Sequence, residues 1–306
     1  MIVVSMFDGI SCGQIALDQL GIPVERYFAC EIKSSAIKVT QHNYPSTIQM
    51  GDVRNMCWES IGHCDLLLGG SPCQDFSVAN NNRLGLDGSK SSLFWHFVKA
   101  KEILKPKYFL FENVAMPSKD FETVSNALGT YPVNINSETV SAQTRNRFYW
   151  TNIGHKNFNL FGFPTCAIAQ PKNKRILFKD IQETNVSDEF NVSSYRQENF
   201  RRKTTGNAGV IGTVAPKNSN FTQKNEVFGT DGKITCLLSS DYKAPKIVLD
   251  AGRLRYMTPL EYERLQTLPD HYTDILPKKK RYDVIGDGWT VEVIKHILKE
   301  MEIEKW

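Results

Sequence analysis

Three groups of residues in this sequence have the types and spacing for covalent and acid–base chemistry. The first is a cysteine in Gly69-Gly70-Ser71-Pro72-Cys73-Gln74-Asp75-Phe76-Ser77. It leaves an apolar run, Asp65 to Leu68, on a loop shaped by small residues and Pro72. A structural cysteine more often sits inside an apolar run, so Cys73 reads as a nucleophile. An ordinary thiol has a pKa of about 8.5 and is only a few per cent thiolate at neutral pH, so a helix N-terminus or nearby cations must help. The second group is the run Tyr108-Phe109-Leu110-Phe111-Glu112-Asn113-Val114. A carboxyl flanked by aromatics is partly desolvated, and in its protonated form it can donate a hydrogen bond. A salt-bridged strand end is the plain structural alternative for Glu112. The third group is Arg145 and Arg147, ahead of Phe148-Tyr149-Trp150. Alternate residues of a strand share one face, so both guanidinium groups can point into one site, or merely cover a half-exposed strand.

A ligand-binding constellation precedes these groups. Phe7-Asp8-Gly9-Ile10-Ser11-Cys12-Gly13 joins a strand signal to a helix signal. Glycine at such a turn lets a ligand approach the backbone closely. The turn is not GxGxxG, the glycine-rich helix start that cradles a dinucleotide pyrophosphate. S-adenosylmethionine carries no phosphate and needs no such cradle, so it remains while a nicotinamide cofactor recedes. Glu31 ends the second strand signal and Asp52 follows the third. Ligands bind outside the carboxyl ends of strands in open α/β sheets. There Glu31 can accept from ribose hydroxyls and Asp52 from an adenine amino group, although either can also be a simple loop cap.

The elements that must position these residues alternate strand and helix. Strands are predicted at 2–6, 26–31, 48–50, 65–68 and 107–111, and helices at 11–20, 34–43 and 91–104. That spacing argues for a mostly parallel, doubly wound sheet. Residues 133–140 and 147–153 read as two later strands, and helical patterning returns at 258–268 and 290–300. Between 155 and 245 the chain is rich in Asn, Lys, Thr, Ser and Gly and has weak periodicity. A structureless loop of that length is rare in a compact domain, so this stretch should have its own fold or a binding role.

Composition bounds the function classes. The chain has 306 residues, 41% hydrophobic and 23% charged, and a net charge of +4. At roughly 150 residues per domain that length allows about two domains. The mix excludes wholesale disorder. The apolar runs are too short for a membrane span, and the N-terminal residues lack the features of a signal peptide. Seven cysteines without CxxC spacing speak against a zinc ribbon or a disulfide scaffold and for reduced thiols in the cytoplasm. No metal is expected. Basic residues cluster at Lys172-Asn173-Lys174-Arg175, Arg201-Arg202-Lys203 and Lys278-Lys279-Lys280-Arg281. Each run alone reads first as solvated surface, and what matters for a nucleic-acid partner is whether they gather.

Phe7-Asp8-Gly9, Glu31, Gly51-Asp52-Val53-Arg54, Ser71-Pro72-Cys73, Phe111-Glu112-Asn113-Val114 and Arg145-Asn146-Arg147 stand in the order of the DNA cytosine-5 methyltransferase motifs. The chain resembles that family over nearly its whole length, with only about 155–235 unplaced. Phe7 to Ile10, Gly51 to Arg54, Val140-Ser141-Ala142, His271 to Asp274 and Gly288 to Ile294 resemble the animal de novo (type 3) branch most. Asp287 and Gly288 depart from that branch's Arg-Ser, so contacts there do not carry over.

The resemblance implies an α/β fold: a Rossmann-like S-adenosylmethionine-dependent methyltransferase sheet with a smaller, irregular target-recognition region. It implies a catalytic and cofactor-binding domain at 1–154, target recognition at 155–245, and a C-terminal segment at 246–306 that returns to complete the catalytic domain. Phe7, Asp8, Gly9, Ile10, Glu31, Ile32, Asp52, Val53, Gly70, Leu93 and Trp289 should line the S-adenosylmethionine site, with S-adenosylhomocysteine as product. Cys73, Glu112, Arg145 and Arg147 should be catalytic. Pro72, Asn113, Val78, Arg201 and Arg202 should meet the substrate, duplex DNA, from which the target cytosine is flipped into the site. Ser77 to Ser89 is the expected closing loop. The size suits a monomeric bacterial or phage modification enzyme, with a cognate restriction endonuclease as the partner to look for and CpG as the site the animal branch suggests. The competing readings are an RNA cytosine-5 methyltransferase on the same scaffold and a non-catalytic regulatory subunit. The intact cysteine, glutamate and cofactor acids speak against the latter.

Overall fold

The computed structural model describes residues 1–72, 93–154, 156–160, 162–202, 209–216 and 223–302. The strands that carry the site are β1 (Ile2–Met6), β2 (Arg26–Cys30), β3 (Ile48–Gln49), β4 (Leu66–Gly69), β5 (Tyr108–Asn113) and β6 (Val133–Asn136). They are joined, after a short strand β7 (Gln143–Thr144) that pairs elsewhere, by β8 (Asn146–Thr151). The sheet order is β3-β2-β1-β4-β5-β8-β6. The first five strands are parallel, and β8 runs antiparallel to both β5 and β6. Parallel strands are covered on both faces, which is why Ile2 to Met6 and Leu66 to Gly69 are buried at every position.

The helices follow the strands as the alternation requires: α1 (Cys12–Gln19), α2 (Ser34–Asn43), α3 (Phe94–Leu104) and α4 (Ser118–Leu128). One face of the sheet packs an aromatic core in which Phe94 and Phe97 of α3 meet Phe111 of β5, and Phe111 meets Trp150 of β8. Gly69 is required here, because a Cβ on it would lie 2.7 Å from the Phe97 ring. A helix absent from the sequence reading, α4, ends on left-handed Gly129.

The described residues divide into two compact units. The first comprises 1–136, 146–171 and 291–306, and the second 137–145 and 172–290. The first adds a hairpin of β9 (Lys156–Phe158) and β10 (Pro164–Cys166) to the large sheet. The second contains α5 (Ser194–Glu198) and a five-stranded sheet. That sheet is made of β11 (Arg201–Arg202), β12 (Val210–Thr213), β13 (Glu226–Gly229), β15 (Ile247–Asp250) and β16 (Arg253–Tyr256). β14 (Ile234–Thr235) lies apart and pairs with β7. One hydrophobic cluster of this unit is Val192, Val214, Val227, Ile247 and Leu254. Its helices α6 (Pro259–Leu265) and α7 (Lys278–Asp287) follow the sheet.

These boundaries differ from the cuts at 154/155 and 245/246 read from the sequence. The irregular stretch shares its sheet with β15 and β16, which lie beyond 245, and α6 and α7 stay with it. Residues 137–145 leave the large sheet because β7 pairs with β14 of the second unit. The strand expected over 133–140 therefore stops at Asn136 and gives way to a 3-10 turn at Ser137–Thr139. Only α8 (Val291–Leu298) returns, packing against α1 in the first unit. No helix among the described residues is long and apolar enough to cross a membrane.

Candidate active site

Register alone brings the predicted residues to one end of the large sheet. Met6 pairs with Cys30 and with Gly69, and Gly69 pairs with Phe111. The next residues of the four strands, Phe7-Asp8-Gly9, Glu31-Ile32, Gly70-Ser71-Pro72 and Glu112-Asn113, therefore emerge side by side. Asp52 follows β3 at the same end. The strand order reverses between β1 and β4, the switch point where open α/β sheets bind ligands.

The loop after β1 is shaped tightly. Phe7 and Ser11 are left-handed at φ 59° and 58°, as is Gly9 at 60°. Left-handed non-glycine residues are strained and persist only where the surroundings over-determine them. Here Asp8 N–H donates to the Cys30 carbonyl at 3.1 Å and Gly9 N–H donates to Glu31 Oε2 at 2.8 Å. Space is open where a side chain on Gly9 would project. Glu31 Oε1 also accepts from the Ile32 and Lys33 N–H groups, so this carboxylate splices the first two strand-end loops together.

The three acids at this end sit in different surroundings. Asp8 is half-buried and accepts from Tyr27 Oη at 2.8 Å and from Ser11 Oγ, which itself meets Thr40 Oγ1 at 3.0 Å. Burial pushes Asp8 up to about 6, against the pull of hydrogen bonds from Ser11, Ser5 and Tyr27. Asp52 accepts from the Arg54 backbone at 2.9 Å and from its guanidinium, and these hydrogen bonds hold it down at about 2. Glu31 keeps its backbone donors. Carboxylates with open space before Gly9 and no phosphate cradle suit the hydroxyls, amino groups and ammonium of S-adenosylmethionine. Ile32 is 70% exposed at the same end, and Phe7 and Leu93 are half-buried against the core. Ile10 is wholly buried and Val53 nearly so. Trp289 is half-buried and belongs to the second unit.

Glu112 is 8% exposed, and Arg147 Nε lies 2.9 Å from its Oε1. The carboxyl thus has a cation beside it as well as aromatic neighbours. Asn113, the next residue, is buried and donates through Nδ2 to Ser71 Oγ at 3.3 Å and to the Ser71 carbonyl at 3.4 Å. This ties the segment leading into Cys73 to the end of β5. Cys73 itself, Val78 and the whole of 77–89 lie outside the described residues. Cys30 at the end of β2 and Cys64 just before β4 are buried, and burial pushes both up to about 12, which keeps them inert thiols.

The two arginines have different partners. Arg145 is 6% exposed within the second unit, donating to the Leu237 carbonyl at 3.1 Å, the Gly288 carbonyl at 3.0 Å and Cys236 Sγ at 3.2 Å. Strand periodicity misplaced it because β8 begins only at Asn146. Arg201 and Arg202 are exposed on β11, and Arg201 donates to the Ala215 carbonyl at 2.8 Å. The described residues of all three basic runs fall in the second unit, including 278–281, which the sequence reading assigned to the catalytic domain. Sequence reasoning missed Tyr27, whose only signal was a hydroxyl within an otherwise apolar buried strand end, Tyr27-Phe28-Ala29-Cys30.

Residues 1–303 match the family model for C-5 cytosine-specific DNA methylase. The chain is 26% identical over 317 positions to the type II methyltransferase M1.ScrFI of Lactococcus lactis subsp. cremoris, covering 98% of this chain and 77% of that one. It is 24% identical over 316 positions to the type II methyltransferase M.NlaX of Neisseria lactamica, covering 98% and 96%. Among solved structures, the methyltransferase EhMeth of Entamoeba histolytica superposes with a TM-score of 0.72 at 17% identity over 98% of this chain and 97% of that one, a likeness of fold.

Proposed function

The chain belongs to the C-5 cytosine-specific DNA methylase family, and from that premise we propose how its own residues carry out the reaction. It is a DNA (cytosine-5-)-methyltransferase, and its family and fold imply S-adenosylmethionine as methyl donor. The observation that best supports the residue roles is the strand register, which sets the Glu112–Arg147 pair beside the segment leading into Ser71-Pro72-Cys73.

Carbon 5 of cytosine is a poor nucleophile. The Cys73 thiolate bonds to carbon 6 and pushes an electron pair toward carbon 5 and ring nitrogen 3. Glu112, in its protonated form and oriented by Arg147, donates a hydrogen bond to nitrogen 3 and so stabilises the negative charge that develops there. Asp8, Gly9, Glu31, Ile32 and Asp52 would hold S-adenosylmethionine, which would supply the electrophilic methyl group for carbon 5, with S-adenosylhomocysteine as the product. A base, water or hydroxide, then takes the carbon-5 proton, the 5,6 double bond re-forms and Cys73 leaves as thiolate. None of this fits inside a stacked duplex, so the cytosine is flipped out at a cost of a few kcal/mol. Pro72, Asn113 and Val78 are the residues assigned to the flipped base. The second unit, with its basic runs, meets the phosphates, and Arg201 and Arg202 lie on its DNA face.

Labelled S-adenosylmethionine and mixed-sequence duplex DNA, followed by base-resolution mapping of 5-methylcytosine, test this reading. Methylation at one short motif is the expected result, and Cys73→Ala should abolish it with cofactor binding intact. Unchanged product from the Cys73→Ala protein would overturn the covalent mechanism. Label transferred to tRNA and not to DNA would overturn the proposed substrate.

A further inference from the structure

Of the acids at the carboxyl end of the large sheet, Asp8 is the one held by side-chain hydroxyls. Glu31 accepts three backbone N–H groups. Asp52 is paired with Arg54, and Glu112 with Arg147. The side-chain partners of Asp8 are the hydroxyls of Tyr27, Ser11 and Ser5, and among the described residues no cation lies within ion-pair distance of it. The ionisable groups around it are Cys12 from α1, Tyr27 and Cys30 from β2, and Glu31, none of which carries positive charge. A half-buried carboxylate left without a cation at a strand-end turn is a group that can take one.

We infer that Tyr27 is a positioning residue for the methyl donor: its hydroxyl holds the Asp8 side chain, in carboxylate form, to receive the α-ammonium of the donor's amino-acid arm. Tyr27 is 2% exposed and touches no ligand itself, so its action passes through Asp8. Its hydroxyl donates at 2.8 Å to Oδ1 while Ser11 donates to Oδ2, so the two oxygens are gripped from opposite sides. The left-handed turns at Phe7 and Ser11 fix the backbone between them. The inference rests on the loop after β1 being the S-adenosylmethionine site.

The sign of the pH effect follows from Asp8 sitting at about 6. Above that value it is charged and can hold an ammonium; below it the neutral acid cannot. An α-ammonium stays protonated up to about 7.7, so an acid limb near 6 belongs to the protein. Calorimetric titration with S-adenosylhomocysteine from pH 5 to 7.5 reads it, with 5′-methylthioadenosine, which lacks the amino-acid arm, as control. Tyr27→Phe removes one hydrogen bond that favours the charged form, so its acid limb should move up by about one pH unit. That is a loss of about fivefold at pH 6 and under about twofold at pH 7.5. Ser11→Ala should move the limb in the same direction, and 5′-methylthioadenosine should show no limb. A limb unmoved in both folded variants, or the same limb with 5′-methylthioadenosine, would overturn the role of Tyr27. If neither ligand binds the wild-type protein at pH 7.5, the reading of the site as an S-adenosylmethionine pocket falls, and this inference with it.

Discussion

Arg255 and Glu261 of the second unit are both wholly buried and bonded to each other at 2.7 Å, with Asp250 completing the cluster. Glu263 nearby is also wholly buried and accepts from Arg281 at 3.0 Å and from the Thr273 N–H at 2.8 Å. In the first unit, Asp8 is half-buried and the Glu112–Arg147 pair nearly buried, both at strand ends on the carboxyl side of the sheet. The first unit has a large apolar sheet to hold it. The second also buries apolar residues, among them Phe228, Tyr262 and Ile285, and adds ionic and hydrogen-bonded networks in its interior. Charge is therefore scaffold in one unit and chemistry in the other.

Substitutions can break or sharpen that contrast. The largest effect should come from Glu261→Ala, which leaves Arg255 buried with one carboxylate partner fewer. Removing one member of a buried pair costs about 3–5 kcal/mol, so the denaturant midpoint should fall sharply. A protein as stable as wild type would end the scaffold reading. The two neighbouring arginines give the next test. Arg147→Ala should lower methyl transfer about 100-fold, equivalent to about 2.7 kcal/mol, measured at a temperature where the variant is still folded. Arg145→Ala should instead lower stability by about 1–3 kcal/mol, since it leaves the buried Leu237 and Gly288 carbonyls without its donors. The reverse assignment of effects would erase the distinction between the units.

A smaller effect separates the acids. Asp8 is raised in the folded protein, from 3.8 to about 6, so its charged form destabilises the fold at neutral pH. Asp8→Asn keeps the shape and acceptor oxygen and should stabilise the protein by about 1–3 kcal/mol at pH 7, with no gain at pH 3, while weakening donor binding. Equal melting curves for the two proteins at pH 7 would contradict this. The smallest effect is expected at Asp52. Arg54→Ala releases it from about 2 toward 3.8, a change confined to acid pH and invisible in donor binding at pH 7.

The regular half of the molecule was legible from sequence because its signals are local. Ile2 to Met6 and Leu66 to Leu68 are apolar runs of strand length, and the helix at 34–43 matches its predicted span. Strand-end acids were legible too, since position at a carboxyl end follows from strand order. The five-stranded sheet of the second unit was not. Its strands are two to four residues long, and their pairing spans up to tens of residues. Short strands with distant partners leave almost no periodic trace. The run Lys278 to Arg281 read as solvated surface, yet it opens helix α7, and Arg281 anchors Glu263 and Asp274.

Residue type and order by themselves determined the family, the parallel sheet and the set of acids, arginines and cysteine available for chemistry. Only the tertiary structure decided how they divide. Arg145 and Arg147 are two residues apart in sequence, yet one holds three groups of the second unit and the other holds Glu112. Tyr27 is nineteen positions from Asp8 and donates to it. The physical reason is common to both cases. A charged or polar side chain takes its role from the partners that share its burial, and those partners come from other strands whose register no local pattern encodes.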